Sequence, residues 1–349
     1  MKFIHCADIH LGSRISSFPK EISDGIKLDL LNTFKRIVAY AKSNGIKVIA
    51  LSGDVFDSDK PFKKDKDFFF SVVKNNPDID FLYLRGNHDI LSSGEAEFPN
   101  LKRFKDEWTS FSYGDAVFSG IEMNRGNCTS LYSTLSLNKD KYNIVMLHGQ
   151  TANSVGKDMI NLSKLRGKNI DYLALGHVHE YSSGALDERG VWAYSGCLSG
   201  RGFDEVGQKG FIVCDVSART HTFIPFAERV IYETAVDISD IADAYSAYLK
   251  VKGEVVFEKG GIYRVNLTGE VNFEAESLSE DLEKYLAREC LYIGVKDRTR
   301  KKIDITAYEG DLSLRGEFVR SVYADGGLSE EDKLKIISYG LKALKGERL

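Results

Sequence analysis

Along the first half of the chain, short apolar runs alternate with stretches whose apolar residues recur at helical spacing. Lys2–Cys6, Lys47–Leu51, Phe81–Leu84, Asn143–Leu147 and Tyr172–Leu175 are such runs, each closed by Gly or Asp or a few residues before one. This pattern predicts strands buried on both faces. Between the first two, Ile26–Asn44 sets Leu30, Leu31, Phe34, Ile37, Val38 and Ala41 on one helical stripe, with Gly45 as its stop. Lys66–Lys74 predicts a second helix. Tyr113–Ile121, Gly190–Tyr194 and Gly210–Val216 predict strands of a second sheet, and the Asn-, Ser- and Gly-rich Gly120–Leu137 a loop over one edge.

Near Pro225 the character changes, and from Arg229 onward there is no histidine. Val230–Val236, Gly261–Leu267 and Leu291–Val295 predict strands; Asp240–Lys250 and Leu278–Arg288 predict helices. Ser329–Leu344 opens on a capping box, Ser329-Glu330-Glu331-Asp332, and carries Leu334, Ile337, Leu341 and Leu344 on one face. The expected division is 1–227, a small α+β domain over 228–328, and a terminal helix in 329–349. No internal repeat and no low-complexity tract interrupts this order.

With 349 residues, 43% of them hydrophobic, the chain can bury two cores. No stretch reaches the roughly 18 consecutive apolar residues of a membrane span. The first strand starts at the N-terminus with no signal-peptide pattern, and five cysteines are spread without a CxxC. Both point to reduced thiols and a cytoplasmic protein. The net charge of −4 argues against coating nucleic acid by charge alone. Bound divalent ions could still supply positive charge where a phosphate sits.

The candidate chemistry lies at the ends of the five runs. They lead into Asp8-Ile9-His10, Gly53-Asp54, Gly86-Asn87-His88-Asp89, His148-Gly149 and Gly176-His177-Val178-His179, which hold five of the seven histidines. Ligands of open α/β sheets sit beyond the carboxyl ends of the strands, so these clusters are expected to meet on one edge. Carboxylate, imidazole and amide oxygen without thiolate suit manganese, iron or zinc. Singly, each Asp or Asn could be only a cap or a turn former. His5 reads as a core or supporting histidine, His221 as a surface residue, and Cys6 and Cys214 as small buried hydrophobes. Two basic clusters, Lys60 to Lys66 and Lys296–Lys302, could touch a phosphate backbone or be solvated faces.

The order D-x-H, G-D-x-F-D, G-N-H-D, H-G, G-H-x-H resembles the calcineurin-like metallophosphoesterase superfamily. Ala7-Asp8-Ile9-His10-Leu11-Gly12, Gly53-Asp54-Val55-Phe56-Asp57, Asp171–His179 and Gly202-Phe203-Asp204-Glu205 with Lys209-Gly210-Phe211 are similar to its SbcD-type DNA-repair nuclease branch. The resemblance implies a two-sheet α/β-β/α sandwich followed by a small α+β cap. It implies two divalent ions bridged by Asp54, with Asp8, His10 and His179 on one and Asn87, His148 and His177 on the other. Manganese is the first expectation, iron or zinc the alternatives. His88 is implied as the acid for the leaving oxygen, oriented by Asp57 with Asp89 as rival, and a metal-bound hydroxide as the attacking group. The branch implies 3′→5′ exonuclease action on duplex ends, endonuclease action on single strands, a homodimer, and an SMC-like ATPase partner of the SbcC type, for which only Ser329–Leu344 follows the cap. Lys60, Lys63, Lys64 and Lys66 are the expected DNA contacts. A small-molecule phosphodiesterase or phosphatase of the same fold is the rival enzyme, and a non-catalytic scaffold the rival outside enzymology.

Overall fold

In the computed structural model, Lys2–Cys6, Val48–Ser52, Asp80–Leu84 and Leu101–Arg103 run parallel, and Gly210–Asp215 then Thr220–Pro225 continue the sheet antiparallel beyond Lys2–Cys6. The structure describes residues 1–58, 60–89, 97–239, 241–271, 277–302, 304–344 and 346. A second six-stranded sheet has the order Ser182–Ala185, Val191–Tyr194, Tyr172–Gly176, Tyr142–His148, Ala116–Gly120, Thr109–Tyr113, with its four central strands parallel.

The pleat explains why these strands are apolar throughout. Phe3, Val48, Ala50, Leu82 and Leu84 of the first sheet share one core with Phe118, Ile144, Met146, Tyr172 and Ala174 of the second. Their neighbours Ile4, Ile49, Leu51, Phe81 and Tyr83 point the other way, under the helices Lys20–Ser43 and Lys63–Lys74. Leu147, Leu173 and Leu175 pack outward with Leu131, Tyr132 and Leu165. Alternate residues thus fill different cores, and the fold is the two-sheet α/β sandwich that the sequence predicts.

Several details differ from expectation. Gly210–Asp215 belongs to the first sheet, with Cys214 opposite Phe3, because an apolar run signals burial and not the identity of its neighbour. Tyr113–Ile121 is not one strand but a turn at Gly114 (φ +64°) and the strand Ala116–Gly120. The first long helix begins at Lys20, in a polar turn that shows no apolar period. Its end is a Schellman closure: Gly45 N–H donates to the Lys42 carbonyl and Ile46 N–H to that of Ala41, with Gly45 at φ +65°. His221 is half-buried on Thr220–Pro225, with its ring 5.8 Å from that of Tyr172, rather than free at the surface. All five cysteines are buried and unpaired.

The chain forms two compact units, Met1–Glu233 with Glu258–Tyr263 and Cys290–Tyr292, and Thr234–Phe257 with Arg264–Glu289 and Ile293–Leu349. A three-stranded sheet orders Ile231–Asp237, Ile262–Thr268 and Tyr292–Asp297. The second unit holds the helices Ala244–Glu254, Leu278–Leu286, Leu314–Tyr323 and Glu330–Leu344. The first of these starts later than expected, capped by the Asp243 side chain accepting from Ser246 N–H, and Asp240 lies outside the described residues. At the last helix Ser329 Oγ accepts from Asp332 N–H, the capping contact that the sequence suggests there. No helix among the described residues is long and apolar enough to cross a membrane.

Candidate metal centre

Each predicted ligand sits just past, or on the last residue of, a parallel strand: Asp8 and His10 after Lys2–Cys6, Asp54 after Val48–Ser52, Asn87 after Asp80–Leu84, His148 ending its strand, His177 and His179 after Tyr172–Gly176. The first two loops ladder on each other, Asp8 N–H donating to Gly53 O and His10 N–H to Asp54 O, both at 3.0 Å. Six described non-glycine residues have a positive φ, and four of them are Asp8, His10, Asp54 and His177. That backbone costs of order 1–3 kcal/mol per residue, and such strain concentrates at functional sites. Glycine clears the space: a Cβ on Gly53 would lie 2.1 Å from His148 Nδ1, and one on Gly176 1.9 Å from the Ser52 carbonyl.

The side chains converge as two donor sets. Asp8, His10 and His179 form one; Asp54, His148 and His177 form the other, joined by Asn87, whose Oδ1 lies 3.1 Å from His148 Nε2 and 3.2 Å from His177 Nδ1. Asp54 Oδ2 is 3.2 Å from His148 Nε2 and 4.0 Å from His10 Nε2, so its carboxylate faces both. Asp8, His10, Asp54 and His148 are buried, whereas His177 and His179 are partly open.

The hydrogen bonds behind each ring suit these sets to cations. His148 Nδ1 donates to the Ser52 carbonyl at 2.9 Å, leaving a neutral ring's Nε2 lone pair aimed at two acceptors, Asp54 Oδ2 and Asn87 Oδ1. His179 Nδ1 lies 2.7 Å from Glu205 and His10 Nδ1 3.1 Å from Asp57, which turns the two Nε2 atoms toward each other at 3.1 Å. Lone pairs that converge in this way repel unless positive charge lies among them. Partners behind the ring that fix the tautomer are characteristic of metal-ligating histidines.

At Asp54 and His148 titration expresses the same demand. Burial works against ionisation of Asp54, but the hydrogen bond and charge of His148 outweigh it and hold the carboxyl well below its usual range. Burial opposes charge on His148 too, and Asp54 overrides it, lifting the imidazole to about 9. Burial lifts Asp8 to about 6 despite the charges of His148 and His179, and drops His10 to about 4. In the second set Asp54 thus draws a proton onto His148, whereas burial pushes Asp8 and His10 of the first set toward their neutral forms.

The remaining predicted residues are placed as follows. His88 donates its backbone N–H to Asp54 Oδ1 at 3.0 Å, and its ring lies 5.5 Å from that of His10, at the first set. The Asp57 carboxylate lies on His10 and on Arg201 Nη1 (2.8 Å); His88 is not among its partners, so the expected Asp57–His88 pairing is replaced by one through His10. Asp89 is buried and accepts from the backbone N–H groups of Val55, Phe56 and Gly86, which makes it the clasp between two ligand loops. Lys60, Lys63 and Lys64 are exposed and Lys66 partly so, at the start of Lys63–Lys74. Sequence reasoning missed Ser13, Arg201 and the Ser52 carbonyl, and gave Glu205 no task. Glu205, an acid four residues past Arg201, was the available signal. Beside the second set a cavity of about 510 Å³ is lined by Asn87 and His148 together with Arg85, Lys105 and Lys157.

Residues 1–181 match the model of calcineurin-like phosphoesterases. The DNA double-strand break repair protein Mre11 of Sulfolobus acidocaldarius is 20% identical over 370 residues, spanning 96% of this chain and 94% of that protein. Mre11 of Saccharolobus solfataricus is 26% identical over 211 residues, 56% of this chain and 54% of that one. An uncharacterized metallophosphoesterase of Bacillus subtilis, YkoQ, is 25% identical over 193 residues, 51% of this chain and 61% of that protein. With five strand ends delivering two metal-fitting donor sets, and a family match over more than half its length, the chain belongs to the calcineurin-like phosphoesterases.

Proposed function

We propose that this chain is a dimetal-dependent DNA nuclease that hydrolyses phosphodiester bonds. The observation that carries the DNA reading is the likeness to a DNA double-strand break repair protein over 96% of the chain, well past the phosphoesterase region. Asp8, His10 and His179 would hold one ion and Asn87, His148 and His177 the other, with Asp54 between them. Two such ions, manganese in the first instance, would supply positive charge to the phosphate oxygens and would lower the pKa of a water.

The chain's own residues do the rest. His88, its loop pinned by Asp54 and Asp89, stands beside the first set and delivers a proton to the leaving oxygen. Asp57 acts through His10, whose ring it faces. Lys60, Lys63, Lys64 and Lys66 meet the phosphate backbone, an interaction that weakens as salt rises. The later unit contributes contacts to the polymer, and the helix Glu330–Leu344 serves as the place for an SMC-like ATPase in a homodimeric, cytoplasmic assembly.

A small-molecule phosphodiesterase is the second reading, favoured by the cavity beside Asn87 and His148, whose volume is that of a small-ligand pocket. End-labelled linear duplex DNA and bis-nitrophenyl phosphate, each given to the manganese-loaded protein and to His88→Ala, separate the two. The nuclease degrades DNA and loses that action in His88→Ala; turnover of the small diester with DNA left intact would overturn the DNA reading.

A further inference from the structure

Arg201 connects parts of the site that are far apart in sequence. Its side chain is 15% exposed. Nε donates to both Glu205 oxygens (3.2 and 3.1 Å), its backbone N–H to Glu205 Oε2 (2.8 Å), and Nη1 to Asp57 Oδ1 (2.8 Å) and Ser13 Oγ (3.0 Å). Nη2 lies against Glu205 Oε1 and 3.3 Å from His179 Nδ1. Each partner touches a member of the first donor set. Glu205 backs the His179 ring, Asp57 backs the His10 ring, and Ser13 Oγ donates to the His10 carbonyl at 2.9 Å.

Among the described residues the second set has no comparable fork. His148 is backed by the neutral Ser52 carbonyl, and His177 meets only Asn87 through its ring nitrogen, while its N–H donates to Asp8. Behind the first set stand two carboxylates and one guanidinium, a net −1; behind the second, among the described residues, no charged side chain is hydrogen-bonded to a ring, and Asp158 acts on His177 only through space. Carboxylates behind imidazoles raise their basicity and fix their aim, and losing such support costs about 10–100-fold in metal affinity.

We propose that Arg201 is a positioning residue that makes the two metal positions unequal. It holds Glu205 and Asp57 against His179 and His10, so the ion at Asp8–His10–His179 is the tightly held one and the ion at Asn87–His148–His177 the one that exchanges. This rests on reading the donor sets as a two-ion centre. The alternative role for Arg201 is a bare positive charge, which would repel the ion. The two roles predict opposite signs for Arg201→Met: losing a fork weakens the first position, and losing a repelling charge tightens it.

The test is calorimetric titration of the metal-free full chain with Mn²⁺, with His179→Ala assigning the first position and His177→Ala the second. The wild type should bind in two unequal steps. Arg201→Met and Glu205→Gln should weaken the tighter step about 10–100-fold and leave the weaker one within about threefold, with Arg201→Lys in between. Should Arg201→Met fail to fold, Arg201→Lys and Ser13→Ala still break the fork, and weakening confined to the same step is expected. An unchanged or tightened first step in folded variants would overturn the inference while leaving the two-ion reading intact. A wild type that binds no Mn²⁺ would overturn that reading, and the inference with it.

Discussion

From Val48 to Leu51 the chain buries four apolar side chains in ordinary extended backbone; at Asp54 it takes φ to +51° and removes a carboxylate from water. The same contrast recurs from Tyr172–Leu175 to His177, and from Phe3–Cys6 to Asp8 and His10. Strand bodies obey the rules of a stable core. Strand ends break them, with left-handed residues, glycines wedged against neighbouring atoms, and acceptors aimed at acceptors. Burial of the bodies, about 1.5–3 kcal/mol for each large side chain, offsets what the ends cost and keeps them aimed. Function sits where local stability has been given up.

The two regions should therefore answer differently to substitution. At the ends, His88→Ala should lower phosphodiester hydrolysis about 10²–10⁴-fold with little change in melting temperature, as steady-state kinetics and thermal denaturation would show. In the core on which the bodies pack, Phe34→Ala, on the helix Lys20–Ser43, empties a fully buried position and should destabilise by about 3–5 kcal/mol in urea, while each folded molecule binds manganese as before.

Asp8→Asn sharpens the contrast, because it should stabilise the metal-free protein. A carboxyl lifted to about 6 contributes stability that is complete below its unfolded value near 3.8 and lost as pH rises through about 6. At pH 7 the gain from Asp8→Asn should approach about 3 kcal/mol, and it should shrink toward pH 4. At pH 7 the smallest titration effect belongs to His5, in a strand body, because its share appears only in acid. Burial holds its imidazole down to about 3, so its contribution is complete above about pH 6.5 and lost as pH falls toward 3. His5→Leu should flatten the acid limb of the metal-free stability curve by one proton, about 1.4 kcal/mol per pH unit. An unchanged slope would mean that His5 charges within the fold.

What could be read in the sequence follows the same division. The strand bodies show as apolar runs, and the seven ligand candidates show because each follows such a run with Asp, Asn or His; the structure brings all seven together. Partners across the fold left no trace. Arg201 meets Asp57 and Ser13, 144 and 188 positions away, and His148 meets Ser52, 96 away. Asp57 was legible as a carboxylate at the site, but its turn toward His10 depends on the loop after Val48–Ser52 laddering onto that after Lys2–Cys6. Gly210–Asp215 was legible as a strand without its sheet.

The most direct measurement counts metal. After equilibrium dialysis against Mn²⁺, the wild type should retain two ions per chain, and Asp54→Ala, which removes the carboxylate facing both donor sets, at most one. A wild type retaining one ion or none, or an Asp54→Ala variant still retaining two, would contradict the account.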